Sequence, residues 1–259
     1  MAPDPASIGI DGKVIQEHYE NLADSYNEFL YWSPDFVGQM TDKIVNMLAL
    51  QPDDLLIDLG GGTGMYSLAI LERVSLNNPI TVVDPFPEML EKIPDEAPII
   101  PVAAEAVEYS EKAPVCSKIL MKEAVHHVDR KAELFRNLHG SLRESGRILL
   151  VHVDPHKVEY PLFDAALENA RQSFANPDDM IQLLEGAGFE AHRDEFVYPH
   201  DVPTDRYHRM VEGRYMSILT SLDEEQMQAG LDEMRVRDAG TDRLRFTETF
   251  SYILGVKAA

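Results

Sequence analysis

Residues 55–71 read LLIDLGGGTGMYSLAIL, and the fold turns on them. An apolar run ends at Asp58, glycines follow at Gly60, Gly61, Gly62 and Gly64, and an apolar helical pattern then begins. That is a short buried strand, a tight turn and a helix start in direct succession. Glycine lacks a Cβ and tolerates positive φ, so backbone at such a turn can come close to a ligand. Spacing separates the candidate ligands. The dinucleotide fingerprint G-x-G-x-x-G fits at Gly60 and Gly62, but its third glycine is Met65 here. The phosphate loop needs Gly-Lys-Ser/Thr, which occurs nowhere in the chain.

What does fit is Asp58-x-Gly60-x-Gly62-x-Gly64, and more matches follow in order. Residues 80–84, ITVVD, form a second buried strand ending in a carboxylate, Asp84, and lead into Pro85-Phe86-Pro87-Glu88-Met89. A strand-terminal carboxylate about 20 residues beyond a glycine turn is placed to accept from ribose hydroxyls. Residues 99–102 form a third strand, followed by Glu105 and Ala106. Residues 118–121 form a fourth, followed by Lys122-Glu123-Ala124-Val125-His126-His127. A helix is expected over 130–144, ending at Gly146, and a fifth strand over 147–153.

This succession resembles the class I S-adenosylmethionine (SAM)-dependent methyltransferases over residues 55–153, and more loosely over 176–189. The resemblance implies an α/β, Rossmann-like fold. Its mostly parallel seven-stranded sheet would have the order 3-2-1-4-5-7-6, with helices on both faces and a helical cap. It implies SAM as cofactor and S-adenosylhomocysteine as product. Asp58, Gly60, Gly62, Asp84, Pro85, Phe86, Met89, Glu105, Ala106 and Lys122 would form the cofactor site. Tyr19 and Tyr26 join them, Tyr26 because Ala23-Asp24-Ser25-Tyr26 matches an A-x-x-Y segment that contacts the methionine end of SAM in relatives. His126 and His127 follow the fourth strand and are the catalytic candidates, one of them as general base. In relatives such a pair also serves only to pack or cap the next helix. His152 reads equally well as a core histidine, and Tyr31 and Trp32 as acceptor-lining or turn residues.

The chain has 259 residues, 44% of them apolar, which suits one domain of this class with a cap. Helices are expected over 13–30 and from Ser33-Pro34-Asp35, the latter with Phe36, Met40, Ile44 and Leu48 on one face. Asn176-Pro177-Asp178-Asp179 starts another helix, and strands are expected over 189–197 and 246–256. Residues 154–175 and 198–245 exceed the minimal fold. The second of these carries a stripe of Tyr207, Val211, Tyr215, Ile218 and Leu219 and a capping pair, Asp223 and Gln226. Long extra segments in compact domains tend to be lids. The expected organisation is therefore a single domain over 1–259, with 13–50 and 198–245 as substrate cap; a dimer contact is the rival role for the same helices.

Lys and Arg number 23 against 45 Asp and Glu, a net charge of −22. That field repels phosphate backbones and anionic membranes. A small-molecule acceptor is expected, with no nucleic-acid or membrane partner, in a monomer or homodimer. No apolar run nears the ~18 residues of a membrane span, and the start MAPDPASIGIDGK lacks a signal core. Together with one cysteine, Cys116, this makes a cytoplasmic location the expectation. A lone cysteine also argues against arsenite methylation, and no metal is expected. O-methylation is favoured, N- or S-methylation next. A C-methyltransferase of quinone-like substrates, a non-catalytic SAM-binding protein and an NAD-dependent oxidoreductase are the rivals.

Overall fold

A computed structural model of the chain describes residues 32–258. Tyr19, Tyr26, Tyr31 and the helix expected over 13–30 lie outside them. The described residues fall into two compact units. The first holds Trp32–Val153, Ala175–Phe196 and the last strand from Phe250 on; the second holds Asp154–Phe174 and Val197–Thr249.

The first unit starts with α1 (Pro34–Leu48), capped by Ser33, whose hydroxyl accepts from the Phe36 N–H at 3.1 Å. Phe36, Met40, Ile44 and Leu48 are buried, as their spacing requires. Then β1 (Leu56–Leu59), α2 (Met65–Leu71), β2 (Ile80–Asp84), α3 (Pro87–Leu90), β3 (Ile99–Ala103), α4 (Ala106–Ser110) and β4 (Cys116–Lys122) alternate. A single 3₁₀ turn, Val125–His127, leads to α5 (Lys131–Ser141) and β5 (Leu142–Val153). After α6 (Asp164–Ser173) come α7 (Pro177–Gly186) and β6 (Phe189–Pro203). The chain ends with α8 (Thr204–Glu212), α9 (Glu224–Arg237) and β7 (Arg243–Lys257).

The seven strands form one sheet in the order β3-β2-β1-β4-β5-β7-β6, as the resemblance implied. The pairs β2–β3, β1–β2, β1–β4 and β4–β5 are parallel, and β7 runs antiparallel to β5 from Arg147↔Val256 to Val153↔Phe250. Side chains alternate across the sheet. Ile57, Leu59, Ile119, Met121, Ile148 and Leu150 join Leu134, Phe135 and Leu138 of α5 and Met180 and Leu184 of α7 in one core layer. On the opposite face Asp58 meets Ser67 of α2, and the Tyr252 hydroxyl donates to the Met40 carbonyl of α1 at 3.3 Å.

Several boundaries differ from the sequence expectation. Helix α5 stops at Ser141, short of 144, because Leu142 is extended and Ser145 turns to φ 60°. The register between β4 and β5 shifts between Cys116 and Lys118 at that bend. Strands β6 and β7 both run longer than expected, at 15 residues each.

The second unit combines the two segments that exceed the minimal fold, apart from short ends. Its helices pack closely where Phe163 covers Gly230: a Cβ there would lie 2.3 Å from the ring. Asp223 and Gln226 form the expected capping box at the start of α9. The expected stripe 207–219 is not one helix. Helix α8 ends at Glu212, and Arg214 takes φ 52°, so Tyr215, Ile218 and Leu219 are buried from a separate turn.

Truncating Leu150, which is 0% exposed in β5 between β4 and β7, leaves a cavity the sheet cannot collapse into. We expect Leu150→Ala to cost about 2–5 kcal/mol in urea unfolding with an unchanged m-value.

Candidate functional site

In an open parallel sheet the ligand crevice lies outside the carboxyl ends of the strands, where the strand order reverses. Here that point is between β1 and β4. The turn after β1 and the turn after β4 touch there: a Cβ on Gly60 would lie 2.3 Å from the Ala124 Cβ, and Gly60 has φ 79°. Only glycine satisfies both conditions. The Gly60 N–H donates to the Val83 carbonyl at 2.7 Å, tying the turn to the end of β2.

Asp84 closes that link. Its Oδ2 accepts from the Gly62 N–H at 2.9 Å and its Oδ1 from the Phe86 N–H at 3.0 Å. Burial pushes its carboxyl up to about 6, against the lowering effect of these two amides, and the Glu105 charge raises it further. Glu105 is exposed at the N-cap of α4, with Ala106 as the first helical residue. Pro85 and Phe86 are half-buried, and Met89 is buried against Gly62, with its Cε 3.3 Å from where a Cβ would stand.

Asp58 is 2% exposed and accepts from the Ser67 hydroxyl at 2.7 Å. It also fills the space beside Gly61. Its position braces the turn from beneath. Burial raises its carboxyl to about 6. Ser67 escapes a sequence reading because a serine inside a helix ordinarily signals nothing.

Lys122 ends β4. Its Nζ stands 3.8 Å from the ring centroid of Trp32, 4.9 Å from that of Tyr66 and 5.5 Å from that of Phe250. Trp32 was a candidate from its position; Tyr66 and Phe250 look like ordinary core aromatics in the sequence. His126 and His127 share the 3₁₀ turn, their rings 4.1 Å apart. Burial holds His126 well below the usual histidine value, helped by His127, His152, Lys131 and Lys122. It is therefore a neutral imidazole near pH 7. His152 is fully buried, as a core histidine would be. Among the described residues no group of three or more acidic, histidine or cysteine side chains is arranged to hold a metal.

A family model described as a methyltransferase domain matches residues 31–193. The chain belongs to this methyltransferase-domain family. No curated protein matches it in sequence. Among solved structures it is similar to a putative methyltransferase of an antibiotic biosynthesis pathway from Anabaena variabilis. The TM-score is 0.63 at 18% identity, over 83% of this chain and 96% of that one. The [4+2]-cyclase SpnF gives a TM-score of 0.64 at 13% identity, over 95% of each chain. Phosphoethanolamine N-methyltransferase 2 of Haemonchus contortus, solved with phosphomonomethylethanolamine and S-adenosylhomocysteine, gives 0.57 at 12% identity. That match covers 94% of this chain and 60% of that one. The strand order and family together define a class I SAM-dependent methyltransferase.

Asp58 tests the electrostatics. A carboxyl raised by burial binds its proton more tightly folded than unfolded, so it removes stability as pH rises from about 4 to about 6. Asp58→Asn keeps an acceptor for Ser67 and removes the ionisation. Its stability relative to wild type is expected to improve through that window, by up to about 3 kcal/mol, and to level off above it. Urea unfolding of both proteins from pH 4 to 8 checks this; a flat difference would mean that Asp58 ionises normally.

Proposed function

We propose that the protein transfers the methyl group of SAM to a small-molecule acceptor, with an oxygen acceptor favoured over nitrogen or sulfur. The observation that carries the cofactor assignment is Asp84. Each carboxylate oxygen has two acceptor positions, and each uses one for a backbone amide. One acceptor position per oxygen is left for the two neighbouring hydroxyls of a ribose. Gly60 and Gly62 supply the close backbone approach beside it, and a side chain at Gly60 would have no room. These features fit an adenosyl group.

The remaining roles follow from position. Pro85, Phe86 and Met89 line the side of the adenine, and Glu105 with the Ala106 backbone meets its polar edge. Bound SAM supplies a methyl already activated on a sulfonium, so the residues of the chain need to align the acceptor and exclude water. A hydroxyl that arrives protonated needs a base. His126 is a weak one, because burial and neighbouring cations depress its basicity. His127 retains the base assignment for such acceptors. The second unit takes part in acceptor selection, an assignment that rests on its length beyond the minimal fold. Tyr19 and Tyr26 keep their cofactor assignment from the resemblance alone. The absence of a helix long and apolar enough to cross a membrane, among the described residues, is compatible with a cytoplasmic site of action.

Calorimetry with S-adenosylhomocysteine tests the cofactor assignment. Asp84→Ala is expected to abolish binding, while NAD fails to bind the wild type. Retained affinity in Asp84→Ala would remove the ribose role. Wild-type affinity is also expected to fall as pH is lowered through about 6, where Asp84 gains its proton, and Asp84→Asn should flatten that dependence. Single variants His126→Ala and His127→Ala test the base. Unchanged turnover in both would leave alignment as the whole of the protein's contribution.

A further inference from the structure

Glu123 takes a backbone conformation that glutamate seldom adopts. It directly follows β4, and its φ is 54°, in the left-handed region. A residue with a side chain keeps such a conformation only where its surroundings enforce it. The register of β4 with β5 runs to Lys122↔Val151, so the next step of the ladder would pair Glu123 with His152. A regular parallel ladder would then make two bonds to Glu123: its N–H would donate to the Val151 carbonyl, and its carbonyl would accept from the Val153 N–H. The first is present, at 2.8 Å. In the second, the Val153 N–H donates to the side chain, to Glu123 Oε1, also at 2.8 Å. The carboxylate takes the place of a ladder carbonyl at the point where the chain leaves the sheet. Val153 is 2% exposed, so without this acceptor its N–H would be left buried and unpaired. The departing chain carries Ala124, which packs against Gly60, and then the 3₁₀ turn Val125–His127. Gly60 in turn is bonded to Val83, the neighbour of Asp84.

Resting on the methyl-transfer reading above, we propose that Glu123 is a positioning residue for the cofactor: by holding the Val153 N–H, its carboxylate keeps the chain in the left-handed turn that seats Ala124 against Gly60, and so gives the glycine turn its binding shape. Glu123 needs no contact with SAM to do this. The geometry sets two requirements. The side chain must carry an acceptor far enough to meet an amide of the neighbouring strand, and the backbone must bear a positive φ. Glycine meets only the second. Aspartate tolerates the left-handed turn better than glutamate but is one methylene shorter. Glutamine has the reach, and its side-chain carbonyl accepts as a carboxylate oxygen does. The role therefore rests on an acceptor at a given reach and not on the charge.

Calorimetry with S-adenosylhomocysteine on three variants separates these parts. Glu123→Gln is expected to bind within about threefold of wild type, and Glu123→Gly to bind about tenfold more weakly. Glu123→Asp keeps the charge without the reach, is expected to follow Glu123→Gly, and replaces it should that variant fail to fold. Urea unfolding of each variant shows which of them fold. Amide hydrogen exchange supplies the local signature. The Val153 amide is expected to be protected in the wild type and in Glu123→Gln, and to lose about tenfold or more of that protection in Glu123→Gly or Glu123→Asp. The Leu149 amide, in the regular part of the ladder, should not change. Three results would overturn the proposal: wild-type affinity in a folded Glu123→Gly or Glu123→Asp, which would confine the bond to stability; a loss in Glu123→Gln as large as in Glu123→Asp, which would make the charge the working part; or a Val153 amide that exchanges freely in the wild type, a result that needs no variant. Failure of the wild type to bind S-adenosylhomocysteine at all would instead sink the methyl-transfer reading.

Discussion

The hydrogen bond from the Gly62 N–H to the Asp84 carboxylate, 2.9 Å long, ties the functional end of the sheet together. It joins the turn after β1 to the tip of β2. The Gly60 and Gly61 amides make the same connection through the Val83 carbonyl. On the other side, Gly60 leaves room for Ala124 and thereby lets the turn after β4 close against the turn after β1. Three strand ends meet at one place because a single turn carries no side chains to keep them apart. A substitution at Gly60 would separate β1 from β4 and cost the crevice its shape before it touched any ligand.

That geometry has an electrostatic consequence. Asp58 and Asp84 are both buried, and each is raised to about 6 chiefly by loss of solvation. Near pH 7 both are ionised at a cost to folding stability, in a chain that already carries −22. Ser67 and the two amides offset part of that cost. At the end of β4 a cation, Lys122, lies close enough to Asp58 to lower its carboxyl against the effect of burial. Lys122 sits among rings, and burial, with a smaller contribution from Lys131 and Lys122, holds His126 well below the usual histidine range. The turns after β1, β2 and β4 thus bring Asp58, Asp84 and Lys122 into one electrostatic neighbourhood, in a chain that is strongly acidic as a whole. Net charge says little about local chemistry where a buried carboxylate and a cation lie this close.

Local signals were legible in the sequence because they act locally. The glycine spacing, the carboxylate at the end of ITVVD, and the caps at Ser33, Asn176 and Asp223 all depend on residues within a few positions, and all are found as expected. The strand order followed from the resemblance that those motifs support. What escaped depends on single backbone angles or on distant residues. The bend at Ser145 shortens α5, and the positive φ of Arg214 divides a stripe that reads as continuous. The ring cage could not be read because its members stand at positions 32, 66 and 250 and meet only in the folded sheet. Asp58 was legible as a member of the motif, yet its contact with Ser67 shows it supporting the turn from below.

Fold likeness alone does not decide the chemistry here. The chain resembles a [4+2]-cyclase over its whole described architecture about as well as it resembles a putative methyltransferase. Both matches are below 20% identity and speak only to the arrangement of strands and helices. The family match over 31–193 goes further, since it rests on sequence across the turn, the Asp84 strand end and the Lys122–His127 segment. The donor half of the site, as proposed, rests on backbone and one carboxylate, features that enzymes with many acceptors can share. The acceptor must then be selected by side chains outside that turn, which the arrangement of strands and helices leaves open to change.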